Sequence, residues 1–210
     1  MAKILITSGP TRQYIDPVRY LSNASSGKMG SCLVQAALDL GHEVVVVTGP
    51  VDLEYPTGAE VIEIVSTADL LAACQRIFPQ CDGLIGAAAP CDYKPVEVAD
   101  HKIRKSGETL EIKLVETEDV VAHLGSIKSD KQWTVGFALE TEDARFRALS
   151  KLIRKSCDLV VLNGVAAIDS DQNAVEIISG RGEILTTESG SKQQVATAVL
   201  KAIQSQLIED

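Results

Sequence analysis

The sequence is poor in aromatic residues and histidine, and its acidic residues outnumber its basic ones. Aromatic side chains make up 4% of the 210 residues, so the core must be aliphatic. The net charge is −9, which argues against nucleic acid as a main ligand because phosphate backbones are bound by clustered Lys and Arg. A small polyanion is not excluded, since one local cationic pocket is enough to bind it.

The cysteines and histidines are not spaced for a structural metal site. There are five cysteines, an odd number without a Cys-x-x-Cys pair, and three scattered histidines. We expect reduced cysteines that serve mainly as small core residues. This includes Cys91, because a reactive thiol needs a lowered pKa. The sequence assigns no ligands to a metal ion.

No apolar run approaches the roughly 20 residues that cross a bilayer. The chain enters the short apolar run Ile4–Ile6 without the features of a signal peptide. We therefore expect a protein of the cytoplasm without a membrane partner. The length fits a single domain over residues 1–210, and no repeat or linker divides it.

Apolar runs alternate with helical periodicities along the chain. The expected strands are Lys3–Thr7, Val44–Thr48, Glu60–Ile64, Asp82–Ala89, Thr109–Val115, Trp133–Ala138 and Leu159–Asn163. The expected helices are Lys28–Leu40, Ala68–Phe78 with Ser66 as N-cap, Asp119–Ile127, Asp143–Ser156 and Lys192–Leu207. A flap is expected at Lys94–Gly107, and a C-terminal β-hairpin at Ala174–Ile178 and Glu183–Thr187.

This alternation predicts an α/β fold with a Rossmann-like, doubly wound and mostly parallel sheet. Ligands of such sheets bind beyond the carboxyl ends of the strands. The loop after the first strand is rich in Gly and Ser, carries Arg12 and Arg19, and leads into a helix N-terminus. Such a loop makes an anion cradle, although an exposed connection would have a similar composition.

Two common nucleotide motifs are missing. Gly27-Lys28 is followed by Met29 and not by the Ser or Thr of a P-loop, and there is no G-x-G-x-x-G. A Tyr-x-x-x-Lys pair is also absent. An NAD(P)- or flavin-linked Rossmann oxidoreductase is therefore a disfavoured alternative. A non-catalytic nucleotide-binding module is a second alternative.

Several sequence blocks together resemble one enzyme family. The first block runs from Ile4 to Gly30, with IDPVRYLSNASSGKMG at its centre, and later blocks follow in order at 87–93, 102–105, 135–141 and 158–163. Together they resemble the phosphopantothenoylcysteine synthetase (phosphopantothenate–cysteine ligase) family over nearly the whole chain. In many bacteria this domain is fused behind a flavin-dependent decarboxylase. We expect a stand-alone, bacterial-type domain.

The resemblance implies a ligase of coenzyme A biosynthesis. Family members activate 4'-phosphopantothenate as an acyl-nucleotide, release pyrophosphate, and couple the acyl group to cysteine. The bacterial-type blocks imply CTP rather than ATP as the co-substrate, with Mg²⁺, CMP as a product, and no bound flavin. The resemblance also implies a homodimer, and makes a separate phosphopantothenoylcysteine decarboxylase a candidate partner.

The resemblance assigns three residues to catalysis. Asn23 would donate a hydrogen bond to the developing oxyanion. Lys102 would close over the triphosphate. Arg19 would hold the phosphate or carboxylate of the substrate as a planar fork. Each also has a structural explanation: a loop-capping amide, a solvated lysine and a surface ion pair.

Further binding residues follow from the same blocks. Asn163 joins Arg19 and Asn23 as a substrate-binding residue, Asp92 would contact the base or ribose, and Phe137 would stack on the base. The full set of nucleotide contacts implied is Gly9, Thr11, Ser25, Ser26, Gly27, Ala87, Ala88, Ala89, Asp92, Lys102, Lys105 and Phe137. A turn aspartate and a core phenylalanine are the structural alternatives.

Two positions depart from the family pattern. Pro90-Cys91 stands where Val-Ala is common, and Thr117-Glu118 stands where Asn-Pro usually precedes the acid. The first departure could shift the local backbone. Because of the second, no substrate contact is assigned at 117–119.

Overall fold

The computed structural model describes residues 1–139, 143–163 and 172–209, without the side chains of Leu139 and Gln172. The strands are β1 Lys3–Ser8, β2 Arg12–Tyr14, β3 Tyr20–Ser22, β4 Glu43–Thr48, β5 Glu60–Glu63, β6 Gly83–Gly86, β7 Tyr93–Pro95, β8 Leu114–Glu116, β9 Trp133–Leu139, β10 Leu159–Asn163, β11 Gln172–Ser179 and β12 Ile184–Ser191. The helices are α1 Lys28–Asp39, α2 Thr67–Ile77, α3 Val120–Ile127, α4 Ala144–Arg154 and α5 Lys192–Ile203.

Eight strands form the central sheet in the order β12-β11-β10-β9-β6-β1-β4-β5. The six strands from β10 to β5 in this order pair in parallel, and β11 and β12 join as an antiparallel hairpin. The predicted Rossmann-like, mostly parallel sheet with a C-terminal hairpin is therefore confirmed. Among the described helices, none has both the length and the apolar character needed to span a membrane.

Side chains of alternating residues bury both faces of the sheet. Ile4 and Ile6 of β1 pack with α1 and α5 on one face, whereas Leu5 packs with α2 and α3 on the other. A third cluster joins α4 to β10. Burying one such aliphatic side chain contributes roughly 1.5–3 kcal/mol. This two-sided burial explains why the central strands read as unbroken β-branched runs rather than as alternating patterns.

Four of the five cysteines are buried and Cys32 is half-buried, and all five are free thiols. Burial raises the thiol pKa of Cys74 to about 12 and those of Cys81 and Cys157 to about 11. It also raises the pKa of Cys32 and of Cys91. All five thiols therefore stay protonated at neutral pH, as the sequence predicted for reduced core cysteines.

Helix boundaries follow local signals in the sequence. Ser66 is the N-cap of α2, and its hydroxyl accepts a hydrogen bond from the Asp69 N–H while the Asp69 carboxylate accepts one from the Ser66 N–H. This capping box confirms the predicted cap. Gly41 has a φ of +79° directly after α1, which is the left-handed conformation that glycine favours. Helix α5 ends at Ile203, earlier than predicted, and a π-turn follows at Gln204–Ile208.

The predicted strand Thr109–Val115 is wrong for most of its length. Only Leu114–Glu116 is a strand, and it pairs with β7 in a separate two-stranded sheet. Its three residues are all exposed, and residues 109–113 are exposed as well. The alternation of apolar and polar residues was present, but no layer in the described part of the chain covers the apolar side. The predicted strand Asp82–Ala89 is also shorter, at Gly83–Gly86.

A small hairpin formed by β2 and β3 was not predicted. Its turn is closed by the Ile15 N–H donating to the Arg19 carbonyl, at 2.8 Å. The Tyr14 and Tyr20 rings meet edge to face with centroids 5.4 Å apart, and the Arg12 guanidinium lies 4.6 Å from the Tyr20 centroid. Asp16-Pro17 was the turn signal in the sequence. The strands themselves are only three residues long, too short for a periodicity to show.

Candidate functional site

The carboxyl ends of β1 and β6 lie side by side, and the loops that follow them are bonded to each other. The Ala87 N–H donates to the Thr7 carbonyl at 3.1 Å, and the Ala89 N–H donates to the Gly9 carbonyl at 2.9 Å. Gly9 has a φ of +69°, and a Cβ there would stand 2.8 Å from Val51 Cγ1. This close approach explains why glycine is needed at the first turn of the loop.

Threonine hydroxyls hold the segment 87–92, which follows β6. The bonds are Ala88 N–H to Thr7 Oγ1 at 3.3 Å, Cys91 N–H to Thr11 Oγ1 at 2.8 Å, Thr67 Oγ1 to the Cys91 carbonyl at 3.3 Å and Thr117 Oγ1 to the same carbonyl at 2.6 Å. The Thr117 N–H also donates to the Asp92 carbonyl at 2.8 Å. The backbone of this segment is therefore fixed before any ligand binds.

Thr11 and Cys91 both lie inside the protein. Thr11 is 1% exposed, and its hydroxyl also lies 2.9 Å from Thr67 Oγ1. Burial raises the pKa of the Cys91 thiol, although hydrogen bonds from Thr11 and from the Asn23 backbone act in the opposite direction. The Pro90-Cys91 departure thus inserts a buried, protonated thiol behind the wall of the site and not a nucleophile.

A cleft of about 510 Å³ lies beside this segment, between β6, β9 and the N-terminus of α3. Three predicted nucleotide contacts line it, namely Ala88, Asp92 and Phe137. Ala88 and Phe137 are half-buried and Asp92 is exposed. Ala88 and Phe137 offer small and flat walls that suit a nucleobase and ribose, and four carboxylates line the cleft, at Asp92, Glu116, Glu118 and Asp119.

Residues that the sequence analysis left unassigned complete the cleft. Thr117, Asp119, Arg154 and Lys155 line its far side. Asp119 caps α3 by accepting from the Ala122 N–H at 3.1 Å, and Lys155 Nζ lies 3.0 Å from Asp119 Oδ2. The cap was readable from the sequence. Lys155 follows the last residue of α4. The sequence around it contains no pattern that predicts its place in this cleft.

A second cavity of about 590 Å³ lies at the N-terminus of α1. Ser25 and Ser26 line it, as do the cations Arg12 and Lys28. Gly27 is the N-cap of α1 with a φ of +74° and no capping side chain, and a Cβ there would stand 2.9 Å from Val51 Cγ1. A helix N-terminus flanked by hydroxyls and cations can bind anionic oxygens.

Asn23 links the two loops. Its Nδ2 donates to the Pro90 carbonyl at 2.9 Å, and the residue is exposed. Pro90 lines the cleft, so the carboxamide is held at the wall of the cleft. An amide nitrogen carries two hydrogens, and the second one is not used by this bond.

Arg19 is held by groups of the protein itself. Its Nη1 lies 2.6 Å from Asp16 Oδ2, and both terminal nitrogens lie 3.2 Å from the Ile103 carbonyl oxygen. The side chain remains 41% exposed. The surface ion pair considered as the structural alternative is therefore present, and it is coupled to the predicted flap.

The remaining candidates lie apart. Lys102 and Lys105 are exposed, and among the described residues neither lines the two cavities above. Asn163 ends β10, and its Oδ1 is buried without a hydrogen-bond partner in the described part of the chain. Glu140 and Thr141 of the fourth family block lie outside the described residues. Ala87 and Ala89 belong to the fixed segment 87–92.

The structure therefore divides the predicted nucleotide contacts between two cavities. Ala88, Asp92 and Phe137 line the cleft, and Ser25 and Ser26 line the pocket at α1. Gly9, Thr11 and Gly27 shape the walls. The binding and catalytic roles of all these residues stay predictions.

The model of the family described as "DNA/pantothenate metabolism flavoprotein C-terminal domain" matches residues 1–207. The chain belongs to this family. The coenzyme A biosynthesis bifunctional protein CoaBC of Vibrio cholerae serotype O1 is 39% identical over 211 residues, which cover 98% of this chain and 53% of that protein. The chain thus spans about half the length of the curated relatives it matches.

Solved structures agree with this assignment. The C-terminal domain of a coenzyme A biosynthesis bifunctional protein CoaBC superposes with a TM-score of 0.83 at 36% identity, covering 99% of this chain and 96% of that one. A Cab2 mutant in complex with phosphopantothenate-cysteine superposes with a TM-score of 0.81 at 15% identity, covering 98% and 87%. At that identity the second match shows the shared fold alone. The resemblance found in the sequence blocks is confirmed.

Proposed function

We propose that this chain is a phosphopantothenate–cysteine ligase that uses CTP. The observation that carries the proposal is the contact between Asn23 and Pro90, which joins two family blocks at the carboxyl edge of the sheet. It places a neutral double donor at the wall of the cleft of about 510 Å³ in which the nucleotide would bind. An anion pocket at α1 accompanies the cleft. The role in coenzyme A biosynthesis that the names of the longer relatives state agrees with the proposal.

The first step would transfer the nucleotide to the substrate. A carboxylate oxygen of 4'-phosphopantothenate attacks the α-phosphorus of CTP, the bond to the bridging oxygen breaks, and pyrophosphate leaves. Negative charge develops on the phosphoryl oxygens, so oriented donors and cations lower the barrier. Arg12 and Lys28 line the anion pocket, and Arg154 and Lys155 line the cleft. Lys102 is the further cation that the family resemblance assigns to the triphosphate.

Mg²⁺ would accompany the nucleotide in this step. The ion usually binds through substrate phosphates, waters and one or two carboxylates. Asp92 and Asp119 are candidate carboxylates because both line the cleft. The ion would neutralise charge on the phosphates and favour pyrophosphate as a leaving group.

The second step would form the amide. The amine of cysteine attacks the acyl carbon, a tetrahedral oxyanion forms, and CMP leaves while the amine loses a proton. The carboxamide of Asn23 would donate to that oxyanion without changing its own protonation state. Because the donor is already positioned by its bond to Pro90, it needs little reorganisation as the charge appears.

The decisive experiment follows pyrophosphate release by the purified chain. Release should require 4'-phosphopantothenate and be faster with CTP than with ATP, and added cysteine should then give 4'-phosphopantothenoylcysteine. A nucleotide-binding module would bind CTP and release nothing. An oxidoreductase would carry a flavin spectrum or oxidise NAD(P)H. No turnover with either nucleotide refutes the ligase assignment.

Asn23→Asp separates the two steps. The substitution replaces a donor by an acceptor, so coupling to cysteine should slow on the order of 10²–10³-fold, and the acyl-nucleotide should accumulate. Gln206→Glu makes the same change of amide to carboxylate at an exposed position after α5, and both steps should be unchanged. Equal loss of both steps in Asn23→Asp would contradict the oxyanion role.

Self-association is also part of the proposal. Exposed apolar side chains cluster around β7 and β8, namely Val96, Val98, Leu110, Ile112, Leu114 and Val115. Patches of this kind mark protein contacts, and a second copy of this chain is the expected partner. Sedimentation should give a dimer, and Leu110→Lys with Ile112→Lys should shift it to monomer. A separate phosphopantothenoylcysteine decarboxylase remains the candidate second partner.

A further inference from the structure

The excursion 96–113, which connects β7 to β8, is tied to the β2–β3 hairpin at two places. The Ala99 N–H donates to the Ile15 carbonyl at 3.0 Å. The Ile103 N–H donates to Asp16 Oδ2 at 3.1 Å, and the Ile103 carbonyl accepts from both terminal nitrogens of Arg19 at 3.2 Å. One carboxylate–guanidinium pair therefore holds both backbone polar groups of Ile103.

Asp16 is the centre of this clamp. Its side chain is fully buried, and Oδ1 accepts from the N–H groups of Val18 and Arg19 at 2.8 and 2.9 Å. Burial alone would raise the pKa of this carboxyl, but bonds from the Val18, Ile103 and Arg19 N–H groups and the charge of Arg19 lower it below its ordinary value. A buried carboxylate with this number of donors stays ionised at neutral pH.

The residue that this clamp holds, Ile103, lies between two cationic residues of the excursion. Ile103 is half-buried and stands between Lys102 and Arg104, which are both exposed, and Lys105 follows. Ala99 and Ile103 flank Lys102, so bonds to the hairpin hold the backbone on both sides of this lysine. The two carboxylate oxygens of Asp16 have different partners. Oδ1 accepts from the N–H groups of the turn, and Oδ2 accepts from the excursion.

We infer that Asp16 is a positioning residue for nucleotide activation: it acts through Arg19 and Ile103 to hold Lys102 where the triphosphate of the nucleotide binds. The inference rests on the proposed function, in which Lys102 contacts that triphosphate. In this inference the Arg19 guanidinium both binds the Ile103 carbonyl and contacts the substrate anion. A substrate anion that engages Arg19 competes with the Ile103 carbonyl, so substrate binding and the position of the excursion are coupled.

The test replaces Asp16 by Asn. Asn at 16 keeps an oxygen for the turn but sets an NH₂ against the Ile103 N–H and the Arg19 guanidinium, so donors face donors. Hydrogen exchange of the Ile103 amide should accelerate roughly tenfold or more, since a bond to a charged acceptor counts for at least that factor. Trypsin cleavage after Lys102 and Arg104 should accelerate likewise. Asp100→Asn, which removes the same charge from an exposed residue of the excursion, should change neither.

Kinetics then separate positioning from general damage. In Asp16→Asn, kcat/KM for CTP in the pyrophosphate-releasing step should fall roughly tenfold or more, while coupling of a supplied acyl-nucleotide to cysteine should keep its rate. Unchanged exchange at Ile103, or equal loss in both steps, overturns the inference. If Asp16→Asn does not fold, Asp16→Ser serves the same test, because its hydroxyl can still accept from the turn N–H groups.

The exchange measurement needs no turnover. A wild-type chain that is inactive with every nucleotide refutes the proposed function, while acceleration at Ile103 in Asp16→Asn still shows the clamp. An active wild type whose Ile103 amide is indifferent to Asp16→Asn refutes the clamp alone.

Discussion

The segment 87–92 and the excursion 96–113 are close in sequence but are held in different ways. Threonine hydroxyls and carbonyls of the β1 loop bond the first segment at nearly every residue. The second is bonded to the rest of the protein mainly at Ala99 and Ile103, with its apolar side chains exposed. Local stability follows the density of such contacts. We therefore expect the wall of the cleft to be rigid and the excursion that carries Lys102 to move more readily.

The largest effect is expected from a substitution that displaces the loop after β1, because this loop bonds the rigid segment 87–92. A Cβ on Gly49 would stand 1.5 Å from the Pro10 carbonyl oxygen, which is backbone and cannot turn aside. We expect Gly49→Ala to lower the free energy of unfolding by about 3 kcal/mol or more and to abolish pyrophosphate release. Urea denaturation monitors the first effect. A Gly49→Ala protein of wild-type stability would contradict the packing of these loops.

A milder change removes one hydroxyl from the rigid segment. Thr11→Val keeps the shape of the side chain but leaves the Cys91 N–H without its acceptor, which typically costs about 1–3 kcal/mol. Thermal unfolding should detect the loss. Thr57→Val, at an exposed position, is the matched control and should leave the melting temperature unchanged. An equal effect of both substitutions would show that the hydroxyl of Thr11 does not hold the segment.

Acid should weaken the bonds between Asp16 and the excursion. The folded-state pKa of Asp16 is lowered from 3.8, so its contribution to stability is fully present above that value and is lost as the pH falls through the lower folded pKa. The difference in unfolding free energy between wild type and Asp16→Asn should therefore be constant near neutrality and shrink below about pH 3.8. A difference that is the same at pH 7 and at pH 2 contradicts the ionised clamp.

The smallest effect is expected in the excursion itself. Leu110 is 58% exposed, so Leu110→Ser should change the unfolding free energy by less than about 0.5 kcal/mol at concentrations where the chain is monomeric. Calorimetry at several protein concentrations would check this. If the substitution destabilises the monomer strongly, the excursion is packed more firmly than its bonds indicate.

The sequence predicted the sheet well because burial on two faces leaves a strong signal. Val44–Val47 could only be an interior strand, and Ser66 with Asp69 marked a helix start through purely local bonds. The strand expected at Thr109–Val115 failed because alternation shows only that one side is apolar, not that another layer covers it. Whether such a side is packed depends on the rest of the fold.

The residues of the candidate site were predictable where their place follows from the strand that carries or precedes them. Asn23 and Asp92 follow strands, Phe137 lies near the carboxyl end of β9, and the topology brings Asp92 and Phe137 to one cleft. The direction of a side chain was not predictable: Thr11 points inward, and Arg19 is engaged by Asp16 and Ile103. Lys155 was missed because its place beside Asp119 depends on how α4 packs.

The buried sulfurs have a consequence for handling a thiol compound. Where free cysteine, the co-substrate in the proposed function, has oxidised to cystine, a protein thiolate that attacks the cystine disulfide forms a mixed disulfide and releases cysteine. Here burial raises the thiol pKa of Cys74 to about 12 and those of Cys81 and Cys157 to about 11, so all three buried thiols are protonated at neutral pH. These three cysteines therefore offer cystine little thiolate with which to exchange.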